Sequence, residues 1–283
     1  MGHTEKGRPP YPRLMGIVNV TPDSFSDGGQ YLGSSSAIER GLELIAEGAD
    51  MLDIGGESTR PGASDVEPAE ELDRVLPVIA ELARTCEVPI SIDTRHACVA
   101  AAALDGGASI VNDISAGLHD PQMLETVAQK GASFVAMHCR GEPATMQDSP
   151  RYTDAVSEIR AALKARLQAC LQAGMARSKI ILDPGIGFGK ELDHNLEILR
   201  RLPELATLGQ PLLLGVSRKS FISQACRRMP GAPDNPPSER LGGTAAAVAA
   251  CVLGGASILR VHDVAIMKEA CALAHALTPL STP

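Results

Sequence analysis

Short apolar runs alternate with longer amphipathic segments along most of the chain. Eight such runs are LMGIV (14–18), ADMLD (49–53), VPISID (88–93), ASIV (108–111), ASFVAM (132–137), KIILD (179–183), PLLLGV (211–216) and ASILRV (256–261). Short, nearly continuous apolar runs are typical of parallel strands that are buried on both faces of a sheet. The pattern therefore predicts eight buried parallel strands.

The segments between these runs have helical spacing. Apolar residues recur every three or four positions over 70–84, where Pro77 predicts a kink, and 155–174 is predicted as a second long helix ending at its glycine. Glycines in EGAD, DGGAS, QKGAS and LGGAS stand where a helix would turn back into the next strand. Helices between buried parallel strands define an α/β fold.

Eight strand–helix units in 283 residues predict a single (β/α)8 TIM barrel, a fold that takes about 250 residues. A doubly wound open sheet is the alternative, but it usually has fewer strands in this length and a glycine-rich turn after its first strand. We expect a flexible N-terminal extension over 1–12 and one barrel domain over 13–283.

Composition restricts the partners. A formal net charge of −8 argues against nucleic acid and anionic membranes, so an anionic ligand would need a local group of cations. Seven dispersed cysteines without a C-x-x-C motif predict neither a disulfide framework nor a zinc site. The polar start, MGHTEKGRPPYPR, is unlike a secretory signal, and the longest apolar stretch, 245–256, is too short to span a bilayer. We expect a cytoplasmic protein.

Polar residues end every predicted strand. In chain order they are Asn19, Asp53, Asp93, Asn112, His138, Asp183, Ser217 and, for the last strand, Arg260 with His262. All strand carboxyl ends of a barrel meet at one mouth, where barrel enzymes place their chemistry. One such residue could be only a cap or a turn, but the convergence of eight predicts a functional site.

Two loops near the predicted mouth are candidate ligand sites. The loop DPGIGFGK, residues 183–190, lacks the P-loop spacing and by itself is weak evidence for phosphate. The segment SRKSF places Arg218 and Lys219 side by side, and a solvated charge pair is the alternative interpretation.

The end of the last strand is a candidate anion site. Arg260 and His262 are two positions apart and would share one face of an extended strand. Thr59 and Arg60 could complete the site with hydroxyl and guanidinium donors. No spacing of histidine, cysteine and carboxylate indicates a dedicated metal site, whereas a phosphate-bound Mg²⁺ touched by one asparagine or aspartate suits that ion.

Nine motifs together resemble the dihydropteroate synthases of the pterin-binding barrel family. They are GIVNVTPDSFSDGG, DIGGESTRPGA, SIDT, VNDIS, MHCRG-P-TMQ, ILDPGIGFGK, GVSRKSFI, ERLGGTAAA and LRVHDV, in order from about residue 13 to residue 269. The set is highly specific, although SIDT, VND and DPG also occur in other pterin-binding barrels. Cys139 departs from the family, which often has methionine there.

The resemblance implies a transferase of folate biosynthesis that joins p-aminobenzoate to 6-hydroxymethyl-7,8-dihydropterin pyrophosphate and releases pyrophosphate. By the same resemblance, Asp183 would accept the donor edge of the pterin, and Lys219 would donate to its carbonyl side. Asn112 and Asp93 would meet other ring edges. The resemblance further implies that the apolar walls are Ile114, Met137 and Phe188.

The resemblance also assigns the reacting groups. Pyrophosphate would be bound by Asn19 through Mg²⁺ and by Thr59, Arg60, Arg260 and His262. The aniline would lie among Phe25, Pro61, Phe188, Arg218, Lys219 and Ser220. The implied catalytic residues are Asp93, Lys219, Arg260 and His262, with Asp93 stabilising a dissociative, cationic transition state.

Two other functions remain open from the residues. A methyltetrahydrofolate–corrinoid methyltransferase would use a similar pocket but would not need TPDSF or SRKS, and a catalytically silent pterin-binding barrel would lack loop residues that are present here. The resemblance implies a homodimer. The small-residue stretch 244–255 could allow helices of two chains to approach, or could pack only on its own barrel.

Overall fold

The computed structural model describes residues 10–20, 30–57, 66–141, 145–231 and 236–279. Within these ranges eight strands form, and their bounds are β1 Arg13–Asn19, β2 Met51–Gly55, β3 Ile90–Asp93, β4 Ile110–Asp113, β5 Ser133–Met137, β6 Ile180–Asp183, β7 Leu213–Gly215 and β8 Ile258–Val261. All pair in parallel in the order β6-β5-β4-β3-β2-β1-β8-β7, and a bridge between Leu182 and Leu212 joins the two ends of the sheet. The predicted eight-stranded barrel is confirmed.

Ten α-helices surround the strands within the described residues. Their bounds are α1 Gln30–Glu47, α2 Pro68–Thr85, α3 Ala97–Asp105, α4 Met123–Lys130, α5 Ala155–Gln172, α6 Leu192–Arg200, α7 Leu202–Ala206, α8 Ser220–Cys226, α9 Leu241–Leu253 and α10 Val264–Leu277. Both helices predicted from periodicity, α2 and α5, are present, and α2 continues through Pro77. None of the described helices has both the length and the apolar character needed to cross a membrane.

Glycines return the helices to the sheet, as predicted. Gly48, Gly107, Gly131 and Gly255 all have positive φ angles, between 62° and 113°. A side chain at Gly107 would also collide with α2, since a Cβ atom there would lie 2.5 Å from the Cβ of Ala83. Glycine is therefore required by conformation and, at this position, by space.

Of the segment predicted to be a flexible extension, only residues 10–12 are described. Tyr11 contacts α10 there, with its ring 5.0 Å from that of His275 and its hydroxyl donating to the carbonyl of Lys268.

Side chains from alternate positions of the strands fill the barrel. The lower part is an apolar cluster made of Met15, Met51, Ile110, Val135, Ile181, Leu213 and Ile258. Two positions later on the even-numbered strands stand Asp53, Asn112, Asp183 and Arg260. Because a strand returns to the same face every second residue, these four side chains point into the barrel above the apolar cluster. We call them the polar layer.

Candidate active site

Asp53 holds the polar layer together. Its carboxylate is fully buried, and its Oδ2 accepts hydrogen bonds from Nε of Arg260 at 2.5 Å and from Nδ2 of Asn112 at 3.0 Å. Nη2 of Arg260 also donates to Oδ2 of Asp93, at 2.7 Å. One guanidinium therefore joins carboxylates from β2 and β3. Since the nitrogen of the Asn112 amide is committed to Asp53, its oxygen remains as the acceptor for a ligand.

Asp93 is a carboxylate that this arrangement perturbs. Burial raises the pKa of Asp93 to about 7, and the guanidinium of Arg260 opposes the shift while Asp53 adds to it. A carboxyl group with such a pKa exchanges its proton near neutral pH. Gly55 is next to Asp93 in the register, and a Cβ atom at Gly55 would lie 3.5 Å from the Cβ of Asp93, at ordinary van der Waals distance.

Asp183 and Lys219 form the second charged part of the site. Asp183 accepts a hydrogen bond from the backbone N–H of Gly185 at 2.7 Å, and burial raises its pKa against the opposing charge of Lys219. Lys219 donates to the carbonyl of Ile186, and its Nζ lies 4.4 Å from the ring centre of Phe188. Burial lowers the pKa of Lys219 to about 8, and Asp183 limits that fall.

The predicted walls have the expected environment. Ile114 and Met137 are buried, and Phe188 is half-buried on the loop that follows β6. Asn19, the proposed Mg²⁺ contact, ends β1 with its side chain half-buried, beside Gly55 of β2. Its amide oxygen is a hard donor of the kind that Mg²⁺ prefers.

Arg260 and His262 have different hydrogen-bond partners. Whereas Arg260 joins the polar layer, Nδ1 of His262 lies 3.0 Å from Oγ of Ser217. The shared face predicted from their spacing requires an extended strand, but β8 ends at Val261, so alternation does not fix the direction of the next side chain.

Arg218 forms an ion pair with a carboxylate outside the polar layer. It has a positive φ of 60°, and its guanidinium binds the carboxylate of Asp263, with Nε 3.0 Å from Oδ2. The hydroxyl of Thr244 accepts its backbone N–H at 3.1 Å. The neighbouring Ser220 is exposed at the first position of α8. The sequence did not predict this ion pair, because its partners are 45 residues apart.

Four predicted site residues lie outside the described residues, namely Phe25, Thr59, Arg60 and Pro61. Conversely, the sequence identified Asp53 only as a strand ending and gave it no role. Its position two residues after the interior Met51 was the signal that could have placed it in the layer. His138, another strand ending, interacts with Lys190 rather than with the polar layer, since it follows the inward-facing Met137.

The chain is similar to well-characterised proteins over nearly its whole length. A family model described as pterin binding enzyme matches residues 15–262. The dihydropteroate synthase of Synechocystis is 47% identical over 264 residues, covering 93% of this chain and 89% of that protein. That of Neisseria meningitidis serogroup B is 49% identical over 265 residues, covering 92% of this chain and 90% of that protein.

Solved structures extend the similarity to the fold. Dihydropteroate synthase from Xanthomonas albilineans with 4-aminobenzoic acid has a TM-score of 0.86 and 43% identity, with coverage of 96% of this chain and 94% of that one. The same enzyme in complex with 7,8-dihydropteroate has a TM-score of 0.83 and 40% identity, with coverage of 96% and 95%. The chain therefore belongs to the family of pterin-binding enzymes. The resemblance to the dihydropteroate synthases is confirmed within that family.

Proposed function

We propose that this chain joins p-aminobenzoate to 6-hydroxymethyl-7,8-dihydropterin pyrophosphate, giving 7,8-dihydropteroate and pyrophosphate. It is then a transferase of folate biosynthesis. The observation that carries the proposal is the polar layer, because it places hydrogen-bonding and charged side chains above the apolar cluster, at the mouth where barrel enzymes have their active sites.

The polar layer suits the pterin ring. Asp183 has two oxygens with several lone pairs, so it can accept from the amino group and the ring N–H together while it still accepts from Gly185. The oxygen of Asn112 adds an acceptor at another ring edge, and Lys219 donates at the carbonyl side. Ile114, Met137 and Phe188 supply apolar contact. A ring with alternating donors and acceptors is thereby oriented as well as bound.

The charges suit cleavage of the C–O bond. Three carboxylates lie in the site, Asp53, Asp93 and Asp183, and two cations, Lys219 and Arg260. When all five groups are ionised, the site therefore favours positive charge on a ligand. The aniline is a weak nucleophile, and a dissociative transition state places positive charge on the dihydropterin. In this proposal Asp93 stabilises that charge electrostatically, and no strong general base is needed.

The proposed pyrophosphate site includes residues within the described ranges and residues outside them. Arg260 and His262 are its residues within the described ranges, and Thr59 and Arg60 come after β2 in the sequence. Asn19 would hold Mg²⁺ together with pyrophosphate oxygens, and the ion would neutralise charge on the leaving group. A single protein oxygen is a suitable share for an ion that keeps most of its water and binds substrate phosphates.

Phe25 and Pro61 complete the proposal on the aniline side. Each belongs to a loop that carries or follows a residue assigned to pyrophosphate. We therefore expect p-aminobenzoate to bind only after pyrophosphate and Mg²⁺ have bound. Its other contacts in this proposal are Phe188, Arg218, Lys219 and Ser220. Equal affinity for p-aminobenzoate with and without pyrophosphate would contradict this order.

The homodimer and the cytoplasmic location belong to the same proposal. Large apolar side chains are exposed on the adjacent helices α9 and α10, namely Leu253, Ile266, Leu273 and Leu277. The three on α10 are spaced by seven and four residues and so share one face of the helix. Exposed apolar groups of this kind mark association surfaces.

A pyrophosphate-release assay with both substrates tests the function. We expect release to need both substrates and Mg²⁺. Titration calorimetry with the pterin pyrophosphate, with and without Mg²⁺, separates a silent pterin-binding barrel from an enzyme. Pterin binding without any release of pyrophosphate would refute catalysis.

A further inference from the structure

The loop between β6 and α6 is packed directly against the backbone that follows β5. Gly185, Gly187 and Gly189 all have positive φ angles, of 69°, 82° and 61°. A Cβ atom at Gly185 would lie 2.0 Å from the carbonyl oxygen of His138, and one at Gly189 would lie 2.2 Å from that of Arg140. The loop that carries Phe188 therefore has no spare space on this side.

Lys190 fastens the two segments with its side chain. It is 3% exposed, and its Nζ lies 2.8 Å from the carbonyl oxygen of Phe188, 3.2 Å from that of His138 and 3.1 Å from Nδ1 of the His138 ring. An ammonium group has three N–H donors, and here three acceptors surround it. A neutral amine has only two donors and would leave one contact unmade.

The protonation of the neighbours agrees with this pattern. Burial, followed by the charges of Lys190 and Arg140, lowers the pKa of His138 to about 3, so its ring is neutral and Nδ1 can accept. Burial lowers the pKa of Lys190 to about 7. Cys139 and Asp183 favour the charged lysine, whereas Lys219 and Arg140 oppose it.

Lys219 holds the same loop at other atoms. It donates to the carbonyl of Ile186 and lies over the ring of Phe188. The loop is also bound by Asn195, whose Oδ1 accepts from Gly187 N–H at 2.7 Å, and by Tyr152, whose hydroxyl donates to the Gly189 carbonyl at 2.9 Å. Lys190 differs from these neutral side chains because its hold depends on charge.

We propose that Lys190 is a positioning residue, whose ammonium group fixes Phe188 and the loop after Asp183 against the segment of His138. It acts on the ligand through Phe188 and Asp183. This inference rests on the proposed function, because the kinetic measurements that test it use the substrates of that reaction. It adds a residue to which the motifs assigned no role.

The first test is Lys190→Met, which keeps the length of the side chain and removes the donors. We expect KM for the pterin substrate to rise about tenfold or more, as for loss of a charged hydrogen bond, with a smaller change in kcat. Lys179→Met is the matched control, because Lys179 is exposed at the opposite end of β6 and should leave KM unchanged. Equal KM values for a folded Lys190→Met variant and the wild type would overturn the proposal.

The second test is the pH dependence of pterin affinity in Lys190→Arg, which decides the matter if Lys190→Met does not fold. In the wild type we expect affinity to fall as pH rises from 6 to 9, because Lys190 loses its proton; Asp93 and Lys219 also titrate in this range. Arginine stays charged, so the variant should keep more of its affinity at pH 9. An identical fall in both proteins would refute a role for the ammonium group. A wild-type protein that shows no turnover at any pH would instead refute the proposed function.

Discussion

At the scale of single residues, Asp53 shows how a buried charge can organise a site. Its carboxylate binds Arg260 and Asn112 at once, and its second oxygen has no hydrogen-bond partner within the described structure. Buried carboxylates are costly unless they are paired. The two bonds to Oδ2 offset part of that cost and fix the orientation of two side chains that the proposal assigns to ligand binding.

We predict that Asp53→Asn weakens pterin binding by about 10- to 100-fold, which corresponds to the loss of one charged hydrogen bond. The substitution keeps the shape but removes the charge that holds Arg260. Calorimetric titration measures the effect, and Ser91→Ala is the control, since Ser91 is its fully buried neighbour in the register and holds neither partner. Similar losses in both variants would show a general packing effect.

Asp93 should make the protein less stable as pH rises from about 4 to about 7. The ordinary pKa of an aspartate is 3.8 and that of Asp93 in the folded protein is about 7, so in this window the folded protein keeps a proton that the unfolded chain releases. Asp93→Asn removes this difference. We expect its melting temperature to fall less between pH 5 and pH 7.5 than that of the wild type, by on the order of 5 °C. If the melting temperatures of the wild type and Asp93→Asn fell equally between pH 5 and pH 7.5, a group other than Asp93 would be responsible.

At the scale of elements, the end of β8 decides the roles of two residues close in sequence. Arg260 is inside the strand and pairs with Asp53 and Asp93, whereas His262 follows the strand and meets Ser217. The strand boundary thus lies between a residue that is hydrogen-bonded to the polar layer and one that is hydrogen-bonded to Ser217.

This division predicts different results for two alanine variants. Arg260→Ala should lower the free energy of unfolding by about 3–5 kcal/mol, since it leaves buried carboxylates without their partner. It should also weaken the binding of both free hydroxymethyl-dihydropterin and its pyrophosphate ester. His262→Ala should weaken mainly the binding of the pyrophosphate ester. Affinities for both ligands, with melting temperatures, test this, and equal losses of both ligands in His262→Ala would contradict its place in the pyrophosphate site.

At the scale of the whole molecule, the exposed apolar face of α10 bears on assembly. Leu273→Asp should shift the protein from dimer to monomer in analytical ultracentrifugation, because a charge in an apolar interface is left unpaired. Leu118→Asp is the control, since Leu118 is exposed in the connection between β4 and α4. A wild type that sediments as a monomer would refute the dimer.

The sequence by itself determined the barrel and placed several polar residues near its mouth. Eight apolar runs predicted the eight strands, and glycines predicted the returns of the helices, because both depend on local spacing and backbone conformation. Asp93 and Asp183 end their strands, and Asn112 and Arg260 lie one residue before the ends of theirs, so alternation along the strand directs all four inward.

Only the tertiary structure decided which of these groups contact one another. The pairing of Arg260 with Asp53 joins residues 207 positions apart, and Lys190 reaches His138 across 52. The ion pair of Arg218 with Asp263 likewise joins residues 45 positions apart. Such contacts depend on closure of the sheet and on exclusion of water from the barrel, which make an unpaired charge costly and so select the partners; local sequence spacing does not encode either condition.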